Sequence, residues 1–298
     1  MLGMDPIALA LVLGGASLHA TWNLFAKKAS AGLPFVWLYD LVSVLVFAPF
    51  ALWAWHGAGA ALPPAAWAAI LGSSVAHQAY ALALQRGYRA GDFSVVYPVA
   101  RGSGPLVAVL AAVVLLGERP PPAAWAGIAA ILLGILLISG LRLRRRGAAG
   151  AGRAGGPTGP GLLWGLLTGS IIATYTVIDG WTMHALRIQP LPYYVLGLTL
   201  RAALLAPVAL RDRPALREQW RRNARAVLTV GLLSPLAYLM VLYAMGRAPL
   251  AYVAPARELS LLIGMVLGAL VLREGVGAAR LLGGGSMLAG VVLLALAR

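Results

Sequence analysis

The chain alternates between long apolar stretches and short polar connections. Ten stretches are apolar over about 20 residues, the length that an α-helix needs to cross a membrane. Because backbone amides in hydrocarbon must form hydrogen bonds within their own segment, each stretch is predicted to be a helix. The predicted spans are 6–26, 33–55, 65–85, 92–116, 123–141, 161–184, 191–210, 224–246, 249–272 and 276–297. We therefore predict an all-α membrane protein with ten transmembrane helices.

Charged residues are scarce, and the basic ones are unevenly placed. Only 11% of the 298 residues are charged, against about 25% in a typical soluble domain, so we expect the lipid bilayer to surround the chain. Seventeen of the 24 Lys and Arg residues fall in odd-numbered loops, and four fall in even-numbered loops or the tails. This asymmetry explains the net charge of +15 without a nucleic-acid partner. The positive-inside rule then places both termini on the outer side.

The two halves of the chain resemble each other. The stretch "LPFVWLYDLVSVLVFAPFAL" from Leu33 and the stretch "LPYYVLGLTLRAALLAPVAL" from Leu191 share seven of their 20 positions. One constant offset of 156 pairs Arg101 with Arg257, and it pairs several glycines of the fifth and tenth spans as well. Similar segments in the same order indicate an internal duplication.

The predicted boundaries follow from this duplication. Residues 1–141 form the first five-helix repeat, 142–160 form a linker rich in Arg and Gly, and 161–298 form the second five-helix repeat. Because each half has an odd number of spans, the second enters the membrane from the opposite side. Such inverted repeats are characteristic of secondary transporters, which bind their substrates at the midplane between the halves.

Two arginines lie inside predicted spans, one in each half. Arg101 lies roughly 14 Å from one membrane face and Arg257 roughly 12 Å from the other, at a rise of about 1.5 Å per residue. Pro98 and Pro255 precede them and are predicted to kink their helices. One hypothesis is a kinked helix pair whose arginines face an anionic group of a substrate. The alternative is a structural ion pair of Arg257 with Glu258 or with another carboxylate, although neighbouring residues point about 100° apart on a helix.

Other polar and aromatic residues mark candidate cavity faces. Asp40 and Arg201 lie at similar depths, so an interhelical ion pair is plausible, with either a packing role or a substrate or proton role. Aromatic faces in a cavity can hold an apolar ring or a cation, whereas single aromatic residues in spans are often packing residues or interface anchors. Together with Arg101, Arg257 and Glu258, the candidate substrate-binding residues are His19, Trp22, Asn23, His77, Tyr80, Tyr97, Tyr175, Asp179, Tyr238 and Tyr252.

The sequence lacks the motifs of several enzyme classes. It has no cysteine, and its only lysines, Lys27 and Lys28, do not form a phosphate-binding loop motif. Its four histidines show no metal-binding spacing. We therefore expect a protein that is not an enzyme and needs no metal or other cofactor.

Several segments together resemble a known family. The ends of the two halves, "GPLVAVLAAVVLLGERPPPAAWAGIAAILLGILL" and "SLLIGMVLGALVLREGVGAARLLGGGSMLAGVVLL", resemble the drug/metabolite transporter superfamily and, within it, the ten-span EamA type. The segments "HATWNLFAKKA" and "AYALALQRGYRAGDFSVVYPVARGSGP" look most like the YddG group of aromatic amino-acid exporters.

This resemblance implies a basket-like monomer in a bacterial inner membrane, where the outer side that the basic residues predict for both termini is the periplasm. Spans one to four and six to nine would surround a central cavity, while spans five and ten would be peripheral. Pro98 and Pro255 would be hinges. Leu261 stands where Pro105 stands in the first half, so the two halves depart from strict equivalence. The implied cavity residues are Tyr80, Tyr97, Arg101, Tyr175, Tyr238 and Arg257.

The function that we predict is export of amino acids, aromatic and other neutral ones, by alternating access. The arginines would bind the substrate carboxylate, and the aromatic faces would bind its side chain. One alternative is a multidrug exporter of lipophilic cations, which would depend on membrane carboxylates. A second alternative, from another class, is an intramembrane enzyme that acts on lipids.

Overall fold

In a computed structural model, the described residues form eleven helical segments. The structure describes residues 4–28, 32–58, 62–90, 93–139, 159–272 and 276–297. Most of the predicted linker, 142–158, and Glu274 lie outside the described residues. The helices are α1 (Pro6–Lys28), α2 (Leu33–Ala58), α3 (Pro64–Ala90), α4 (Phe93–Leu115), α5 (Pro122–Ser139), α6 (Gly159–His184), α7 (Pro190–Ala209), α8 (Arg213–Met245), α9 (Leu250–Ala256), α10 (Leu259–Leu272) and α11 (Ala278–Leu296).

The predicted all-α class is confirmed, and within the described ranges there is no strand. Nine spans there are long and apolar enough to cross a membrane, when α9 and α10 are counted together. The helix not among them, α3, is 27 residues long and carries Ser73, Ser74, His77 and Gln78 in its middle. Many outward-facing side chains are apolar, such as Leu45 and Trp53, as lipid requires.

Helix α8 begins earlier than the predicted span, which started at residue 224. The Asp212 side chain accepts a hydrogen bond from the Ala215 backbone N–H at 3.0 Å, so it caps a helical turn that the apolar pattern could not indicate. The arginine-rich first part of α8 then continues to Asn223, where φ of −128° and ψ of 21° break the helical geometry. The membrane part of α8 follows that kink.

The second half also contains a break, between α9 and α10. Pro255 has no backbone N–H and cannot complete the helical hydrogen-bond pattern. The chain tightens just after it: Glu258 N–H donates to the Pro255 carbonyl at 3.0 Å, and Leu261 N–H donates to the Glu258 carbonyl at 2.8 Å. In contrast, α4 runs as one helix through Pro98 and Pro105. The two halves therefore differ at 257–258, before Leu261, where the departure from strict equivalence was predicted.

Contacts between helices follow the pattern of a two-fold axis between the halves. Matching the spans in order pairs α1 with α6, α2 with α7, α3 with α8, α4 with α9–α10, and α5 with α11. Helix α3 packs on α6 as α8 packs on α1, and α4 packs on α6 as α10 packs on α1. The pairs α2–α7, α4–α9 and α5–α11 contact each other directly. Exchange of the halves therefore preserves these main contacts between helices.

Glycines bring α5 and α11 into close contact. An added Cβ at Gly127 would lie 2.8 Å from the carbonyl oxygen of Gly290, and one at Gly134 would lie 2.6 Å from that of Gly283. Each of these contacts is matched by its reciprocal across the interface. Small residues allow such close packing of helices in membranes, so these glycines set the short distance between α5 and α11.

Glu118 connects the end of α4 to the start of α9. Gly117, with φ of +69°, ends α4 in the left-handed conformation that glycine favours, and Glu118 N–H donates to the Ala112 carbonyl at 3.2 Å. The Glu118 carboxylate then accepts hydrogen bonds from the backbone N–H groups of Leu250, at 2.7 Å, and Ala251, at 2.9 Å. These N–H groups have no partner within their own helix, so the carboxylate fixes the first half to the second.

Candidate functional site

A cavity of about 190 Å³ lies between the two halves. Its wall is built from α1, α2, α3, α4, α6, α7 and α8, together with the turn between α9 and α10 and the start of α10. Helices α5 and α11 contribute no residue to its lining, which matches the peripheral position that the resemblance implied for them. The candidate residues that line it are His19, Trp22, His77, Tyr80, Arg101, Tyr175, Tyr238, Arg257 and Glu258.

One carboxylate in the cavity wall lies between two guanidinium groups. Glu258 is 1% exposed, and its Oε2 lies 2.8 Å from Arg101 Nη2. Its Oε1 lies 3.4 Å from Arg257 Nε. Arg101 also donates to Ser260 Oγ at 3.2 Å, and Arg257 donates to the Tyr175 hydroxyl at 3.5 Å. The cluster thus joins α4 and α6 to the break in the second half.

The pairing of Arg257 with Glu258 corrects the expectation that neighbouring residues point too far apart. That expectation assumed a continuous helix, whereas α9 ends at Ala256 and both residues lie in the turn that follows. A turn changes the angle between successive side chains, so both can face the cavity. The ion pair of Arg257 with a carboxylate, which the sequence offered as the alternative, is therefore present. It lies within the cavity wall.

A second ion pair joins α2 and α7. Arg201 Nη2 lies 3.6 Å from Asp40 Oδ1, which confirms the predicted interhelical pair. The guanidinium carbon of Arg201 lies 5.7 Å from the centroid of the Tyr194 ring. All three residues line the cavity, so the pair has access to a bound solute as well as a packing role.

Aromatic rings cover another part of the cavity wall. The His77 and Tyr175 rings stack with centroids 3.9 Å apart, and Tyr238 meets the His77 ring edge-on at 5.4 Å. Tyr80 packs against Tyr175 at 6.2 Å, while Tyr194 packs against Tyr238 at 5.2 Å. This cluster offers ring faces and hydroxyl groups beside the arginines.

The charges in the cavity wall do not balance. Three arginines, Arg101, Arg201 and Arg257, and two carboxylates, Asp40 and Glu258, line it. With all five ionised, the wall carries one excess positive charge. Because an unbalanced charge in the membrane is costly, this wall is chemically suited to a solute with one anionic group.

Four predicted site residues lie away from this cavity. Asn23 is exposed and donates to the His19 carbonyl at 2.7 Å. Tyr97 is half-buried on α4 and does not line the cavity. Tyr252 is 4% exposed and packs in the hydrophobic core. Asp179 lies behind Tyr238 in a separate small cavity.

The structure also adds lining residues that were not among the candidates. Tyr39, Gln78, Tyr194 and Ser260 all line the cavity. Two of them carried a usable signal: Tyr39 directly precedes Asp40, and Tyr194 lies seven residues, or about two helical turns, before Arg201. Ser260 could not be placed from helical spacing because the break at 257–258 changes the register.

The fold and the cavity define a class of protein. Helical halves that pair about a two-fold axis and enclose a charged cavity form a multi-pass membrane transporter fold. The chain belongs to the EamA-like transporter family, whose model matches residues 6–140 and 159–296. It is therefore a membrane transporter of the drug/metabolite transporter type, with two repeated halves. Members of this family are not enzymes, so the alternative of an intramembrane enzyme is wrong.

Comparison with solved structures supports the fold. Among 29 matching chains, one described as "Crystal structure of protein" is 20% identical and superposes with a TM-score of 0.74. The match covers 97% of this chain and 98% of that chain. No curated protein matches the chain.

Proposed function

We propose that the protein exports amino acids, aromatic and other neutral ones, across a bacterial inner membrane. The observation that carries the proposal is the pair of guanidinium groups on either side of Glu258, next to a wall of aromatic rings. A substrate carboxylate would bind Arg101 and Arg257 in charge-assisted hydrogen bonds. The His77, Tyr175 and Tyr238 rings would contact an apolar or aromatic side chain. This assignment agrees with the sequence resemblance to the YddG group.

The charge of the cavity wall supports this choice over the export of lipophilic cations. An excess positive charge favours the carboxylate end of a solute and repels an organic cation. Two carboxylates that a cation would need, Asp40 and Glu258, are paired with arginines.

Alternating access would occur by movement of the halves about the cavity. Pro98 and Pro255 are the proposed hinges, and the break after Pro255 supports the second of them. We propose further that the protein works as a monomer with both termini in the periplasm, as the distribution of basic residues indicates. The residues of both halves that line the cavity would then be exposed to each side in turn.

The proposal is tested by exchange of labelled phenylalanine in proteoliposomes. Proteoliposomes that contain the wild-type protein and are loaded with unlabelled phenylalanine are expected to take up labelled phenylalanine well above the uptake by vesicles without protein. Arg101→Gln should reduce the exchange rate by roughly 10- to 100-fold, since a hydrogen bond to a charged group contributes about 1.5–3 kcal/mol. The matched control is Arg217→Gln, an exposed arginine on α8, which should exchange like the wild type.

A double variant separates binding from folding. Arg101→Gln leaves Glu258 with Arg257 as its remaining ion-pair partner, which should lower thermal stability. The double variant Arg101→Gln/Glu258→Gln leaves one arginine, Arg257, without its carboxylate, whereas Glu258→Gln alone leaves two. The double variant should therefore be more stable than Glu258→Gln, while exchange stays low. Recovery of exchange together with stability would show that Arg101 has a structural role only, and absence of wild-type flux for every amino acid tried would contradict the proposed function.

A further inference from the structure

Asp179 is a buried carboxylate that the substrate cavity does not use. Its side chain is fully buried in α6, where Tyr193 donates to Oδ1 at 2.6 Å and Tyr238 donates to Oδ2 at 2.5 Å. Among the described residues, the other buried carboxylates of the cavity region, Asp40 and Glu258, each form an ion pair with an arginine. No arginine or lysine in the same described ranges forms such a pair with Asp179.

Two features give this carboxyl group access to two protonation states. Removal from water without a cationic partner favours the neutral form of an acid. Two tyrosine O–H donors stabilise the charged form, because hydrogen bonds to a carboxylate are charge-assisted. Because these two effects oppose each other, a change in the surroundings of Asp179 is sufficient to add a proton to its carboxylate or to remove one. Ionisable groups in such membrane sites commonly mark proton pathways.

The contacts of Asp179 favour a proton over a metal cation. Its partners are hydroxyl groups that donate to it, and a metal ion would require oxygen atoms that face it as acceptors. The adjacent small cavity has a volume of about 10 Å³, which is room for one water molecule. The site therefore fits a proton and at most a single water.

The charged and titratable groups around Asp179 come from three neighbouring helices. His77 lies on α3 and Tyr238 lies on α8, while α7 supplies Tyr193, Tyr194 and Arg201. Of these groups, His77, Tyr194 and Arg201 line both the small cavity and the substrate cavity. A change of charge at Asp179 thus occurs beside residues that a substrate would contact.

Tyr238 provides the connection to the substrate cavity. It lines that cavity and donates its hydroxyl proton to Asp179, whereas Tyr193 is 3% exposed and lines only the small cavity. Tyr238 can pass its proton to the carboxylate and take another from water in the substrate cavity. In total, a hydronium ion and the Asp179 carboxylate react to give water and the neutral carboxylic acid. The reverse reaction returns the proton to the water of the cavity.

We propose that Asp179 is the binding site of an exchangeable proton that is coupled to transport and reaches the substrate cavity through Tyr238. This inference rests on the proposed transport function, which it extends to the coupling ion. Substrate movement would change the occupancy of Asp179, so protons would cross the membrane with the substrate cycle.

The test uses proteoliposomes of the full-length protein that contain a pH-sensitive dye. Addition of phenylalanine to one side should cause proton movement with the wild type, in addition to label exchange. Asp179→Asn should keep label exchange and lose the proton movement. Tyr238→Phe should slow the proton signal, while the matched variant Tyr193→Phe, which removes the hydroxyl on the side away from the substrate cavity, should retain it.

The outcomes separate this inference from the proposed function. Label exchange without any proton movement in the wild type would overturn the proton site and leave the transport function intact. An unchanged proton signal in Asp179→Asn would also overturn it. If Asp179→Asn fails to fold, the comparison of Tyr238→Phe with Tyr193→Phe decides, and equal proton signals from the two variants would contradict the proposal.

Discussion

Glu258 occupies the position that a substrate carboxylate would take between Arg101 and Arg257. In the structure its two oxygens face the two guanidinium groups from within the wall. A bound carboxylate must therefore share these donors with Glu258 or displace it. Such an internal counter-ion keeps the empty cavity stable and limits its affinity for an anion.

Glu258→Gln should expose this competition. Loss of the counter-ion leaves two arginines together, so we expect the empty protein to lose thermal stability, as when one partner of a buried ion pair is removed. Phenylalanine should then raise the melting temperature of the variant by more than it raises that of the wild type. The control is Glu218→Gln on α8, whose half-exposed carboxylate pairs with Arg221 and Arg222 at the surface. Because such surface pairs contribute little to stability, this variant should change neither value. A smaller substrate-induced shift in Glu258→Gln would contradict the competition.

The Tyr175 ring is expected to favour aromatic substrates. It stacks on His77 and lies 5.8 Å from the guanidinium carbon of Arg257, so it adjoins the proposed carboxylate position. Tyr175→Leu should reduce exchange of phenylalanine relative to leucine by roughly 2- to 12-fold, because an aromatic pair contributes about 0.5–1.5 kcal/mol beyond its buried area. Tyr175→Phe keeps the ring and should preserve the ratio. Equal losses for both substrates in Tyr175→Leu would indicate a structural role.

Single residues could be predicted from sequence where a regular helix carries them. Asp40 and Arg201 were paired from their depths alone, and the candidates His19 and Trp22, three residues apart on α1, both line the cavity. The pairing of Arg257 with Glu258 was named as an alternative, but the angle between neighbours on a regular helix counted against it, because the pair depends on the turn after Pro255. Tyr252 was grouped with the candidates on the aromatic pattern, and its side chain lies in the hydrophobic core and does not line the cavity.

The helix pair α5–α11 holds the two halves together away from the cavity. Its glycines allow backbone contact, and Ser286 Oγ donates to the Ala130 carbonyl across the pair at 2.7 Å. Residues 130 and 286 are related by the same offset of 156 that relates the glycines. The interface therefore lies on the two-fold axis that relates the halves.

Gly283→Ala should destabilise this interface. Its Cβ would lie 2.8 Å from the Gly134 carbonyl oxygen and 2.9 Å from the Ile138 backbone nitrogen, and backbone cannot move aside cheaply. We expect a cost of about 1–3 kcal/mol, measured as a lower melting temperature in detergent. Gly285→Ala, two residues along on the same helix, has nothing within 4 Å of its added Cβ and should not lower it. A drop of the same size in both variants would contradict the packing argument.

The boundaries of helices were predictable where apolar length decides them. The predicted spans agree with the helices from α1 to α7 to within five residues at each end, because the length of the apolar run sets each of them. The start of α8 was not predictable from hydropathy, since the Asp212 cap and the exposed arginines extend it outside the apolar run. The break within the ninth span was indicated by Pro255, while its position depends on local hydrogen bonds.

The whole molecule follows from a duplication that could be read in the sequence. The offset of 156 relates residues that the structure places in equivalent positions, and the most extensive contacts between helices repeat when the halves are exchanged. Which faces of the eight inner helices meet could not be predicted from one sequence. Apolar residues face both lipid and neighbouring helices, so hydropathy does not distinguish the two environments.

The cavity between the halves is the basis of the proposed transport cycle. Each half contributes arginines to its wall, yet only the second half supplies Glu258 at a helix break. The cavity therefore has one excess positive charge and an asymmetric counter-ion within a fold that is otherwise nearly two-fold. We expect the carboxylate of the solute, more than its ammonium group, to determine binding.

Competition between analogues tests this central claim most directly. Exchange of labelled phenylalanine in proteoliposomes is measured with equal concentrations of 3-phenylpropionate, which keeps the carboxylate and lacks the ammonium group, or phenethylamine, which keeps the ammonium group and lacks the carboxylate. We predict that 3-phenylpropionate inhibits exchange and that phenethylamine does not. Inhibition by phenethylamine without inhibition by 3-phenylpropionate would contradict recognition of the carboxylate by Arg101 and Arg257.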